Sequence, residues 1–475
     1  MTPLPQKAID TSTPAFDGFE ERAANGKAAR ERMPLDGLAR FERAATVDPL
    51  EILAAQGRTR VPELLPIRHG RMAASPFAFY RGAAGVMAAD LAGTATSGLR
   101  TQVCGDAHLS NFGMYLSPDR RMVFDLNDFD ETLPGPWEWD VKRLVASLEV
   151  AGRQNGFSDA ERRQILLHCG RAYRKAMRDF AGRSNLSVWY ARVDVEQVLT
   201  QLGGQLTSKQ RSRTSAAVAK ASGRDSLQAA RKITRLVDGE RRLVSNPPLL
   251  VPIEELIPGQ AGLETLASLT RMLRGYSRSL QHDRRILLDQ YRIAHMAHKV
   301  VGVGSVGTRA WVILLVGRDD GDLLLLQAKE AQASVLAPFV RAGRIANQGT
   351  RVVRGQHLMQ AASDIFLGTQ QVLGIDGVPR DFYVRQLRDG KGSAVIERML
   401  PSGISAYGRL CAWTLARAHA RSGDRAAIAG YLGSSQRFER ALADFAAAYA
   451  DQNAKDHDSL VRAIAAGRLS AVVGV

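Results

Sequence analysis

The stretch "VVGVGSVGTRAWVILLVGRDDGDLLLLQAKEA", Val300 to Ala331, decides how the chain is read. Gly302, Gly304 and Gly307 fit G-x-G-x-x-G at every fixed position. A dinucleotide fold needs that pattern between a strand and a helix, because the pyrophosphate sits on the helix N-terminus. Here the glycines are followed by "TRAWVILLVG", an apolar run of strand length. A polar turn at Asp320-Gly321 and a second apolar run come next. Gly302, Gly304, Ser305 and Gly307 therefore read as a turn between antiparallel strands, whose backbone N–H groups can approach phosphates. Lys329 closes the following strand, within reach of the same phosphates. The plainer alternative is a glycine hairpin with a surface lysine.

Far upstream lies a second cluster. "CGDAHLSNFG" (Cys104–Gly113) holds Asp106, His108 and Asn111; "VFDLNDFDE" (Val123–Glu131) and "GPWEWD" (Gly135–Asp140) follow. Acids beside apolar strands are costly unless they bind a cation or hydrogen-bond donors. In kinases a catalytic-loop Asp accepts the substrate hydroxyl proton. An Asn five residues later holds a metal ion, and an Asp on the next hairpin binds metal too. Asp106 and Asn111 have that spacing, and Asp128 follows after a hairpin-sized interval. Asp125 is the alternative metal ligand, because "FDLND" and "NDFDE" overlap. These oxygen donors suit Mg²⁺, a hard cation. His108 is a candidate catalytic residue, although a structural hydrogen-bonding role weighs more. Asp140 reads as a helix cap.

"GDAHLSN" resembles the H-G-D-x-H-x-x-N catalytic loop of aminoglycoside phosphotransferases and related small-molecule kinases. Cys104 stands where the first histidine usually is. "WEWDVKRL" resembles the helix start after their metal-binding Asp, which implies that Asp140 braces the catalytic loop. In ordinary kinases the glycine loop and lysine precede the catalytic Asp; here they follow it. A circular permutation reconciles the order, since domain termini often lie close together. More finely, the chain resembles a bacterial family known as domain of unknown function 2252, over roughly residues 45–465. "SPFAFYRGAA", "GDAHLSNFG", "NDFDE", "GPWEWDVKRL", "KVVGVGSVGTR", "QAKEA" and "ARAHARSGD" carry that resemblance. It implies affinity to kinase-like folds and no named activity. His295 stands where the family pattern is expected to have an acid. No Glu lies between Ala331 and Ile396 to pair with Lys329, which leaves Asp364 or Gln356.

The 475 residues carry a net charge of +16, which favours anionic partners without choosing among them. Three widely spaced cysteines argue against a disulfide scaffold and a Cys-based zinc site. No apolar run is long enough to span a membrane, and the N-terminus has no secretory h-region. A cytoplasmic location is the expectation. Residues 1–35 read as a disordered tail, and 36–290 as a mainly helical catalytic lobe. Residues 291–400 read as a β-rich lobe with the glycine turn and Lys329, and 401–475 as helices returning to the first lobe. Pro76 opens a helix over 75–92, Ser158 and Glu161 form a capping-box pattern, and "DRRILLDQYRIAHMAHK" reads as helix. The basic stretch 208–242 reads as a solvated helical face or an anion-binding face.

The fold class expected is α+β: a two-lobed, kinase-like, circularly permuted protein. The function expected is an ATP- or other nucleotide- and Mg²⁺-dependent phosphotransferase. Its acceptor is a small molecule rather than a protein, and the charge favours an anionic one. Asp106 is the base, Asn111 and Asp128 are the metal ligands, and Lys329 with the glycine turn holds phosphates. A nucleotide-binding pseudokinase and a metal-dependent hydrolase built on Asp106, His108 and the 125–130 acids are the alternatives. No nucleic-acid-binding signature occurs.

Overall fold

The computed structural model describes residues 18–197, 226–256, 271–300, 302, 304, 306–341, 343, 345–373, 377–387 and 392–474. It is a mixed α+β structure whose sheets are antiparallel. Helices α1 (Phe19–Arg32), α2 (Leu65–Ala73), α3 (Pro76–Gly82) and α4 (Ala84–Ala92) come first. Four short strands and a long helix follow. They are β1 (Arg100–Val103), β2 (Phe112–Leu116), β3 (Met122–Leu126), β4 (Leu133–Pro136) and α5 (Trp137–Gln154). β1 pairs with β4, and β2 with β3. The two pairings bring the β1–β2 loop, 104–111, against the β3–β4 loop, 127–132.

α6 (Asp159–Ala181) opens on a complete capping box, Ser158 with Glu161. It packs with α5 in the largest core, where the Trp137 and Tyr173 rings stack at 5.6 Å. Strand β5 (Val193–Asp194) adds to β3.

Beyond it β6 (Thr234–Val237) and β7 (Glu240–Leu243) form a hairpin. β8 (Leu250–Pro252), β9 (Arg292–Lys299), β10 (Ala310–Val316), β11 (Leu323–Glu330), β12 (Gly368–Leu373) and β13 (Pro379–Gln386) build one sheet, ordered β12-β13-β11-β10-β9-β8. The glycine turn joins β9 to β10, and every residue of β11 is buried, Lys329 included. Between β11 and β12, α7 (Gln348–Met359) packs on β12 and β13. Finally α8 (Pro401–Ser422), α9 (Arg425–Leu432) and α10 (Arg437–Ala465) return to α5 and α6. No helix among the described residues is long and apolar enough to cross a membrane.

Several local expectations are corrected. Within the expected tail, Phe19–Arg32 is a helix packed on α9; residues 1–17 lie outside the described residues. Hydropathy hides this packing because backbones make the contact: a Cβ on Gly26 would stand 1.8 Å from the Ala427 carbonyl oxygen. The 75–92 helix breaks at Ala83. "RIAHMAHK" is strand β9 rather than helix, since sheet pairing on both sides outweighs its local pattern. Of the basic stretch, 208–225 lies outside the described residues, and 234–243 is the β6–β7 hairpin rather than helix. The boundary drawn at 290 falls late: Leu243, Leu250, Ile253, Tyr276 and Leu288 already belong to the cores of the large sheet.

Candidate functional site

A cavity of about 810 Å³ lies between the 104–111 and 127–132 loops and the large sheet. Asp106, His108, Asn111, Asp128, Lys329, Gly302 and Gly304 all line it. Ser305 lies outside the described residues. Gly307 has φ +88°, a left-handed conformation that favours glycine, and its carbonyl accepts from the Val61 amide at 2.8 Å.

The β1–β2 loop is held from below by Asp140. Its carboxylate accepts from the Cys104 amide at 2.6 Å and the Gly105 amide at 2.8 Å. Asp140 lies in the first turn of α5, and His419 Nε2 stands 3.2 Å from it, backed by Tyr173 at 2.8 Å. Gly105 has φ +81°, and a Cβ there would come within 2.5 Å of the Glu131 carbonyl oxygen. Only glycine lets the loop turn this close to its neighbour.

Asp106 projects from that loop. Arg143, on α5 and one turn beyond Asp140, donates through Nε to its Oδ1 at 2.9 Å. Burial pushes the Asp106 carboxyl up, and Arg143 and Arg81 oppose the shift. His108 Nε2 lies 3.5 Å from Asp106 Oδ2. Burial, then Arg143 and Arg81, hold the imidazole well below its ordinary value, so it is neutral. Its Nδ1 is buried and, among the described residues, has no hydrogen-bond partner.

Asn111 donates through Nδ2 to the Asp106 carbonyl at 2.9 Å and the Asp128 carbonyl at 3.1 Å. Those bonds fix which amide atom faces away. Its Oδ1 is buried and, among the described residues, has no hydrogen-bond partner, which leaves an oxygen donor beside Asp128. Such a buried acceptor is destabilising unless something binds it. Among the described residues no three His, Cys, Asp or Glu side chains converge as a metal site. One amide oxygen and one carboxylate fit a Mg²⁺ that takes its other ligands from phosphates and water.

Asp125 is placed elsewhere. It is buried, pairs with Arg417 of α8, and accepts from the Ala361 amide at 2.9 Å. It is not part of the cavity wall.

Lys329 finds its carboxylates in the β3–β4 loop. It forms a close ion pair with Asp130, and its Nζ lies 3.9 Å from Asp128 Oδ2. Tyr383, beside Lys329 in the sheet, donates to the other Asp130 oxygen at 2.8 Å. Burial works against the lysine charge, but Asp128 and Asp130 hold it protonated. Desolvation and Asp130 push Asp128 up; Asp130 is held down against burial by Lys329 and Tyr383. Gln356 bonds Gln360 at 2.9 Å, and Asp364 accepts from the Phe366 amide at 2.8 Å. His295, in β9, accepts from the Leu243 amide at 3.1 Å and meets Glu254 at 2.8 Å.

Sequence reasoning missed Arg143 and Arg60, and took Asp130 only as one of the 125–130 acids rather than as the partner of Lys329. Asp130 was visible in "NDFDE". Arg143 follows Asp140 at helical spacing, which puts both on one face of α5. Arg60 gave no signal. It clasps the glycine turn through the Val306 carbonyl and, at 2.9 Å, the Gly304 carbonyl.

Glu131 also lines the cavity and accepts from the Val335 amide at 2.7 Å. Burial pushes its carboxyl up to about 7 from 4.5. The folded state thus holds this proton more tightly than the unfolded chain. The stability it contributes is present at and below pH 4.5 and is lost as pH rises through about 7. Melting curves should show wild type losing stability relative to Glu131→Gln across that window. A difference that stays constant with pH would refute this.

The chain belongs to the family described as "uncharacterized protein conserved in bacteria (DUF2252)", whose model matches residues 60–463. No curated protein and no solved structure matches the chain.

Proposed function

We propose that this member of the family is a nucleotide- and Mg²⁺-dependent phosphotransferase with a permuted kinase-like fold, acting on a small-molecule hydroxyl. One observation carries the reading. Lys329 reaches the Asp128–Asp130 segment inside the cavity that also holds Asp106, Asn111 and the glycine turn. Residues far apart in the chain thereby form one constellation suited to phosphate and metal.

The order of the large sheet supports it. The glycine turn joins two adjacent antiparallel strands, the lysine lies on the next strand, and a helix follows. Protein kinases use that sequence of parts to cover phosphates. The departure is the lysine's partner. α7 carries no acid, and the β3–β4 loop supplies Asp130 instead. The return of α8 and α10 onto α5 and α6 fits a permuted chain.

In this reading Asp106 takes the acceptor hydroxyl proton, and its raised pKa suits a base. Arg143 fixes the carboxylate's direction, and Asp140 fixes the loop that carries it. Asn111 and Asp128 would hold Mg²⁺, which would supply neutralisation of phosphate charge. Lys329, held by Asp130 beside Asp128, would offer its charge to the phosphates.

Calorimetry with ATP tests this. Binding should need Mg²⁺, which should outperform Zn²⁺ because the donors are oxygens. Lys329→Ala should weaken Mg·ATP roughly 10- to 150-fold, the value of a charge-assisted contact of about 1.5–3 kcal/mol. ATP binding that is indifferent to both metal and Lys329 would sink the proposal. Tight Zn²⁺ binding lost in His108→Ala would point to the hydrolase.

A further inference from the structure

The motif "SPFAFYRGAA" has no part in the chemistry so far, yet it delivers a cation to the cavity wall. Ser75 caps the start of α3, its Oγ accepting from the Ala78 amide at 3.1 Å. Phe77, Phe79 and Tyr80 are buried. Arg143, which holds Asp106, also donates to the Tyr80 carbonyl at 2.6 Å and lies 4.0 Å over the Tyr80 ring. On the other side Arg68 donates to the Gly82 carbonyl at 3.2 Å. A Cβ on Gly82 would come within 2.7 Å of Met72 Sδ. Arg81 is thus fixed between two anchored residues, one of them tied to the base through a shared arginine.

Arg81 lines the cavity with Asp106, Gly302 and Gly304. Its backbone oxygen lies 3.4 Å from where a Cβ on Gly304 would stand, and its charge acts on Asp106 and His108. It therefore spans the gap between the glycine turn and the base. Among the described residues it has no hydrogen-bond or ion-pair partner, and its Nε is buried and unsatisfied. Burial already pushes its pKa down. Arg60 and Arg68, close by, spend their bonds on carbonyl oxygens and Gln56 rather than on carboxylates. Glu397 and Asp106 offset part of Arg81's burial from a distance without bonding the guanidinium, and an anion arriving with the ligand offsets the rest.

We propose that Arg81 grips the phosphoryl group in transit between nucleotide and acceptor. This rests on the phosphotransferase reading. The acceptor oxygen forms a bond to the γ-phosphorus. The bond from that phosphorus to the bridging oxygen breaks, its electron pair leaving with the nucleoside diphosphate, and the hydroxyl proton passes to Asp106. Arg81 forms no covalent bond. Its guanidinium faces the equatorial oxygens, where charge is spread in the transition state.

The test compares wild type, Arg81→Ala and Arg81→Lys for binding of Mg·ADP alone and Mg·ADP with aluminium fluoride, which mimics the phosphoryl in flight. Fluoride should tighten Mg·ADP on wild type. Arg81→Ala should lose that tightening while binding Mg·ADP as before, and Arg81→Lys should keep part of it. ATP turnover of Arg81→Ala should fall about 10³–10⁵-fold, the range for such an arginine. Added guanidinium should restore some of it, and melting curves should show the variants folded. Three results overturn the inference alone: tightening retained in Arg81→Ala, no tightening on wild type that binds Mg·ADP, or an equal loss of Mg·ADP affinity in Arg81→Ala. Wild type that binds no Mg-nucleotide overturns the phosphotransferase reading as well.

Discussion

Asp106→Asn is expected to lower phosphoryl transfer by roughly 10²–10⁴-fold, the usual loss when a general base is removed, and to leave Mg·ATP affinity unchanged. Asparagine keeps the shape of the side chain and an oxygen for the Arg143 bond at 2.9 Å. It cannot take a proton. Among the described residues the carboxyl meets Arg143 and His108 and bonds neither the glycine turn nor Lys329, so ground-state nucleotide binding has no reason to change. Some stability should be lost, because Arg143 is buried and would face a neutral partner. Single-turnover conversion of ATP to ADP, measured beside calorimetry of Mg·ATP, separates these effects. Transfer at the wild-type rate in Asp106→Asn would remove the base from the mechanism. Wild type that binds Mg·ATP but shows no turnover, indistinguishable from the variant, would make the protein a pseudokinase.

What the sequence disclosed follows a physical line. Strands β10 and β11 were legible because unbroken apolar runs bounded by glycine and aspartate leave little choice. β9 was not, because "RIAHMAHK" mixes polar and apolar residues, and its strand character comes from partners on both sides. The clustering of Asp106, Asn111 and Asp128 was legible because unusual polar residues stand beside apolar strands. The pairing of Lys329 with Asp130 was not. Partner choice across 199 positions is a property of the packed sheet, and spacing says nothing about it. α1 stayed hidden for a different reason: its contacts run through glycine and alanine backbones and through Arg22 and Arg30, which no hydrophobic pattern registers.

The overlap of "FDLND" and "NDFDE" leaves Asp125 and Asp128 indistinguishable by sequence, and their surroundings predict opposite mutant behaviour. Asp125 and Arg417 are both almost fully buried, and they join β3 to α8 across 292 positions. Arg417→Met should therefore destabilise the protein by about 3–5 kcal/mol, because it leaves a carboxylate buried without its cation. The double change Asp125→Asn with Arg417→Met should cost less than the sum of the two single changes, since it removes both charges together. Neither should abolish the Mg²⁺ dependence of nucleotide binding in protein that remains folded. Asp128 has 42% of its side chain exposed to the cavity. Asp128→Asn should therefore leave denaturant unfolding nearly unchanged and remove the Mg²⁺ dependence. The reverse pattern, with Asp125→Asn abolishing metal dependence at wild-type stability, would move the metal to Asp125 and break the constellation around Lys329.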